Sequence, residues 1–123
     1  MTYANPAWRV TRRELAAGYW QYRVQLPDAG ADLGAALVSV PARGPAHLTG
    51  LYVAPVWRGR GIARALVAHI VAAHAATGLT AHVAPYGTRG LSKRALAAFY
   101  RRHGAVVSRR YACHWPPAPA ARG

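Results

Sequence analysis

Apolar and polar residues alternate along Trp20–Leu26, with Trp20, Tyr22, Val24 and Leu26 on one side and Gln21, Arg23 and Gln25 on the other. A period of two marks a half-buried strand. Pro27-Asp28-Ala29-Gly30 follows as a turn signal, and Leu33–Val40 is a second apolar run closed by Pro41 and Gly44. The two runs predict a hairpin. His47–Val53 predicts a third strand, ended by Pro55. The period then changes. Between Gly61 and Thr77, Ile62, Leu66 and Ile70 recur every four residues with Val67 and Val71 beside them, which predicts a helix capped by Gly78. Leu79–Ala84 is short, apolar and followed by Pro85, and predicts a buried strand. Ser92 is a candidate N-cap for a second helix running to His103, with Leu96, Phe99, Tyr100 and His103 on one face and Gly104 closing it. Val106–Trp115 predicts a last strand, or two short ones.

The order is three antiparallel strands, helix, strand, helix, strand. Strand–helix–strand segments require parallel pairing. The fold class is therefore α/β (α+β), a mixed and mostly antiparallel sheet with two helices. Thr11–Gly18 has room for two turns of helix at most. Residues 1–115 form one domain, and the Pro/Ala-rich segment Pro116–Gly123 is expected to be a disordered tail.

Composition narrows the function classes. Just over half of the 123 residues are apolar or aromatic, which excludes a disordered chain. Lys and Arg number 16 against 3 acids, a net charge of +13. The acids, Glu14, Asp28 and Asp32, all precede Leu33, so the rest of the chain cannot build a carboxylate pair or an Asp/Glu metal site. The excess of arginine has two readings, a GC-rich genome or an anionic partner. Trp8, Tyr19, Trp20 and Tyr22 interleaved with arginines suit a nucleic-acid-binding surface. Cys113 is alone, so no intrachain disulfide forms. His69 and His74 diverge around a helix, and no metal is implied. Met1–Leu15 lacks the apolar core of a signal peptide, and no run of about 18 uncharged apolar residues predicts a membrane span. The cytoplasm is the expected location.

The segment richest in chemistry is Leu51-Tyr-Val-Ala-Pro-Val-Trp-Arg-Gly-Arg-Gly-Ile-Ala-Arg64. A predicted strand leads into a glycine-containing loop that opens a helix. Gly59 and Gly61 let a phosphate approach the backbone, the first helical N–H groups lack intrahelical partners, and the helix dipole adds positive charge. Arg58, Arg60 and Arg64 add full charges, making an anion cradle suited to a pyrophosphate. A Walker loop is excluded, because the only lysine is Lys93. A dinucleotide fingerprint is excluded, because Arg64 stands where a small residue is needed and no acid follows.

Val53-x-Pro55-x-x-Arg58-Gly59-x-Gly61-Ile62-Ala63 resembles the acetyl-CoA-binding signature of the GNAT acetyltransferases, Gln/Arg-x-x-Gly-x-Gly/Ala. Ala98-Phe-Tyr-Arg-Arg-His-Gly-Ala105 is similar to the family's helix ending in Phe-Tyr-x-x-x-Gly-Phe, with Ala105 in place of the last Phe. The similarity covers roughly Leu33 to Val107. It implies an N-acetyltransferase that uses acetyl-CoA as cosubstrate and passes the acetyl group directly to an amine. By similarity, the backbone of Leu51, Tyr52 and Val53 pairs with the pantetheine arm. Gly59, Arg60, Gly61, Ile62, Ala63 and Arg64, with Arg58, hold the pyrophosphate, and Tyr100 protonates the leaving thiolate. Family members often carry a Glu on the strand after the cofactor helix; here His82 stands at that position, and a histidine suits general-base work. His47 is the second candidate. The family's helix-start Asn falls on Ser92 or Lys93. The family usually walls the acceptor site with helices between its first strands. Their shortness here leaves that side open, or completed by a partner subunit in a homodimer. The acceptor amine is not specified and nucleic acid is a candidate partner. A nucleic-acid-binding module without catalysis and an acyl-CoA binder without turnover are the alternatives.

Overall fold

The computed structural model describes residues 8–27, 31–82 and 92–118. The predicted turn at 28–30, the strand end at 83–84 and the tail beyond 118 lie outside them. One sheet organises the chain: β1 (Arg9–Ala16), β2 (Tyr19–Gln25), β3 (Asp32–Ser39), β4 (Ala46–Val53), β5 (Leu79–His82), β6 (Val106–Val107) and β7 (Ala112–Trp115). The strands lie in the order β1-β2-β3-β4-β5-β7-β6. Only β4 and β5 pair in parallel. Helix α1 (Ile62–Ala73) connects β4 to β5, and α2 (Lys93–Arg102) lies between β5 and β6.

Three expectations need correction. Thr11–Gly18 is strand and turn rather than helix, with β1 running to Ala16. Arg9–Glu14 pairs residue by residue with Gln25–Trp20, and only Ala17 and Gly18 separate β1 from β2. The antiparallel run therefore has four strands, and no helix precedes β4 among the described residues. The first helix ends at Ala73, four residues before the expected end. There His74 turns its ring onto the buried Tyr22 hydroxyl (Nε2 to Oη 2.9 Å), and the Gly78 N–H closes the turn on the His74 carbonyl. Beyond it, the Ala118 N–H donates to the Ala75 carbonyl, so the chain through Pro116–Ala118 runs along this turn. The second helix starts as expected: the Ser92 hydroxyl accepts the Ala95 N–H at 3.0 Å. The last segment forms two strands, folded about Ser108 and Tyr111.

Register assigns the two faces. Ala46, Leu48, Leu79, Ala81, Cys113 and Trp115 oppose one another and are all buried. Tyr22, Val24, Ala36 and Val38 continue that face. Both helices pack on it: Tyr100 of α2 meets Trp115 edge-on at 5.3 Å, and His69 and His74 meet Tyr22. The opposite face carries Arg9, Thr11 and Arg13, then Gln21 and Arg23, then Leu37, His47, Tyr52, Thr80, His82 and His114. Neither helix covers it. The expectation of an open side thus appears as a whole sheet face without a helical layer among the described residues.

Candidate active site

Strand β4 is eight residues long, yet only Ala46–Leu48 pairs with β5. A β-bulge interrupts its pairing with β3 between Leu48 and Gly50 and leaves Thr49 as the extra residue. A bulge bends and twists its strand. Here it sits where β4 and β5 separate. His82 pairs with Ala112 of β7 and not with β4. The two parallel strands thus open a gap lined on one side by Leu51–Val53. Of these, Leu51 is half-buried, Val53 is buried toward the helices and Tyr52 stands on the uncovered face, 54% exposed.

The loop after Val53 begins with a short 3-10 turn at Pro55–Trp57. Arg58 Nε donates to the Val53 carbonyl at 3.1 Å, so this side chain first of all ties the loop to the strand end. The Arg60 guanidinium lies 5.2 Å from the centre of the Trp57 ring. Gly59 and Gly61 have φ of 76° and 89°, a left-handed conformation that side chains strain. Gly61 caps α1 with no side-chain partner for the first helical N–H groups, and the first turn contains no acid. The N–H groups of Ile62, Ala63 and Arg64 are therefore free donors beside the exposed Arg60 and Arg64. The arrangement fits a pyrophosphate. Gly34 brings the loop close to the sheet, because a Cβ there would lie 2.6 Å from Ile62 Cγ2 and 3.0 Å from the Tyr52 carbonyl oxygen. A Cβ on Gly61 would meet the Trp8 ring at 3.9 Å, a proximity that the sequence did not reveal. It joins the first described residue to a loop far along the chain.

Tyr100 is buried at 3% exposure between Phe99 and Trp115. Burial first, and then nearby Cys113, push its pKa up to about 12. At the end of α2, burial lowers the His103 pKa, helped by the charges of Arg64 and Arg102.

The histidine candidates share the uncovered face. His47 Nδ1 hydrogen-bonds the Thr80 hydroxyl, which itself donates to the Ala46 carbonyl at 3.3 Å. His82 is exposed two residues beyond Thr80 on the same strand face. His114 opposes Thr80 from β7 and completes a row that the sequence did not reveal. Among the described residues, no group of three or more His, Cys, Asp or Glu is placed to hold a metal ion. No helix of these residues is long and apolar enough to cross a membrane.

The acetyltransferase (GNAT) domain family matches residues 17–104, well over half of the chain. The chain belongs to the GNAT family of acetyltransferases. Solved structures agree on the fold of this GNAT domain. The KacTA–DNA complex is 20% identical with a TM-score of 0.65, over 83% of this chain and 70% of that one. The HPA2 histone acetyltransferase and related acetyltransferase of Corynebacterium glutamicum is 16% identical with a TM-score of 0.62, over 85% and 68%. A mutant AtaT toxin bound to the C-terminus of the antitoxin AtaR and to acetyl-CoA is 17% identical with a TM-score of 0.58, over 80% and 67%. No curated protein sequence matches the chain.

Proposed function

We propose that this GNAT domain transfers the acetyl group of acetyl-CoA to an amine presented on its uncovered sheet face. The observation that carries this reading is the gap between β4 and β5, which opens beside the uncapped N-terminus of α1. Backbone groups of Leu51, Tyr52 and Val53 on the gap side take the pantetheine amides. The N–H groups of Ile62, Ala63 and Arg64, with Gly59, Gly61, Arg60 and Arg64 around them, take the pyrophosphate. Arg58 holds the loop in place through Val53.

Acetyl-CoA supplies an activated thioester. The amine nitrogen bonds to its carbonyl carbon as the carbon–sulfur bond breaks. The sulfur leaves with the electron pair as a thiolate, and the nitrogen loses one proton. His47, whose Nδ1 hydrogen-bonds the Thr80 hydroxyl, receives that proton on its other ring nitrogen. His82 is the alternative base on the next strand. Tyr100 faces the sulfur's charge. Its pKa of about 12 lies above that of an ordinary thiol, so it acts by donating a hydrogen bond while its proton stays on oxygen.

Among the described residues the acceptor side has no helical wall, which suits an amine carried on an extended molecule. Arg9, Arg13, Arg23, His47, His82 and His114 share that face with Asp32, the one carboxylate there among the described residues, favouring an anionic carrier, nucleic acid among them. A similar fold solved with DNA makes this class the first to test. Steady-state CoA release is compared for a free polyamine and for an oligonucleotide bearing a primary amine, at two salt concentrations. The oligonucleotide is expected to be the better substrate, with a KM that rises steeply with salt. Preference for the polyamine would overturn the acceptor class and keep acetyl transfer. Acetyl-CoA binding without CoA release from any amine would favour the binder without turnover.

A further inference from the structure

We propose that the outer edge of β1 is a docking site for an extended acidic peptide, which adds to the sheet as one more strand. Strand β1 ends the seven-stranded sheet, and nothing among the described residues pairs with its outer edge. Its register with β2 is unbroken from Arg9 to Glu14, with a single irregularity at Leu15. Seven of its eight residues are exposed. In a strand paired on one side only, alternate residues direct N–H and C=O groups outward as a template for another strand. The opposite edge, β6, has two residues and offers no such template.

The side chains select the occupant. Arg9 and Arg13 lie on the uncovered face and Arg12 on the helix face. Arg13 Nε donates to Gln21 Oε1 at 2.9 Å, and the Arg12 guanidinium sits 4.7 Å from the centre of the Trp20 ring, so both are held beside the edge. The one ion pair among the described residues joins Arg23 and Asp32 at 3.8 Å. The β1 arginines therefore have no carboxylate partner there. A second copy is a poor occupant. Antiparallel self-pairing centred on Thr11 sets Arg9 against Arg13, and pairing centred on Arg12 or on Arg13 sets that arginine against its own copy. Like charges directly opposed destabilise a strand pair, whereas carboxylates in those places would stand about 5 Å across from the arginines. The edge thus rejects its own kind and accepts an acidic strand by backbone hydrogen bonds and charge together. This proposal does not rest on acetyl transfer.

The probe is an end-blocked, fluorescein-labelled peptide of four Glu-Val repeats, titrated with the full chain by fluorescence polarisation. Binding is expected, and the double variant Arg9→Glu/Arg13→Glu should weaken it at least about tenfold. Two further peptides carry N-methyl groups on alternate backbone nitrogens, in the two alternate frames. In an added strand only one frame faces β1. Methylation in that frame should abolish binding and methylation in the other should spare it. No binding by the parent peptide, an equal effect of both frames, or insensitivity to the arginine variant would overturn the proposal. So would a dimer of the chain alone that the peptide dissociates, which would make a second copy the occupant.

Discussion

Tyr100 sits where the family motif places an acid, yet its surroundings are those of a core residue. Burial disfavours its phenolate, and this has two measurable consequences. The first concerns turnover. Tyr100→Phe should keep acetyl-CoA affinity and slow steady-state CoA release by roughly 10²-fold, the range for losing one positioned hydrogen-bond donor. An unchanged rate would leave Tyr100 as packing alone. The second concerns stability. The folded-state pKa of about 12 exceeds the ordinary 10.0. The resulting stability is complete below pH 10 and is lost as pH rises toward 12. Denaturant titrations across that window should fall less steeply for Tyr100→Phe than for the wild type. His47 differs from Tyr100 in being exposed and in hydrogen-bonding Thr80 through Nδ1. His47→Ala should slow steady-state CoA release while sparing acetyl-CoA affinity. If His82→Ala does so instead, the base is on β5.

Among the elements, those governed by local pattern were legible in the sequence. The apolar stripe of α1 and the Ser92 cap of α2 depend on residues within a turn of each other. Strand β1 was not legible, because polar residues occupy both of its faces and only one of those faces meets a helix. Its conformation comes from pairing with β2, not from its own period. The end of α1 was misread for a similar reason, since Tyr22, distant in sequence, holds His74. The glycine loop that opens α1 was legible from Gly59 and Gly61, which take left-handed conformations there. The row His47–Thr80–His114 was not, because it exists only through the register of three strands. Gly34 couples loop to sheet in the same non-local way. Gly34→Val should cost about 1–3 kcal/mol by overpacking Ile62, read from denaturant midpoints. It should also weaken acetyl-CoA binding by shifting the start of α1. Wild-type stability in this variant would show that α1 can move off β3 freely.

The whole molecule is a GNAT sheet with both helices on one face and none described on the other. Its charge of +13 is spread over both sides: Arg60 and Arg64 at the loop, and Arg9, Arg13 and Arg23 with three histidines on the open face. Under the proposed function, such a layout separates the acetyl-CoA side from the acceptor side, with the β4–β5 gap between them. The account stands on the loop that opens α1. Calorimetric titration of acetyl-CoA into the wild type and into Gly61→Glu, each shown folded by circular dichroism, tests it most directly. The wild type should bind, and Gly61→Glu should not, because a side chain at a φ of 89° strains the loop and a carboxylate at the N-cap of α1 opposes a phosphate bound there. Equal affinity in the two folded proteins would contradict the assignment of the loop.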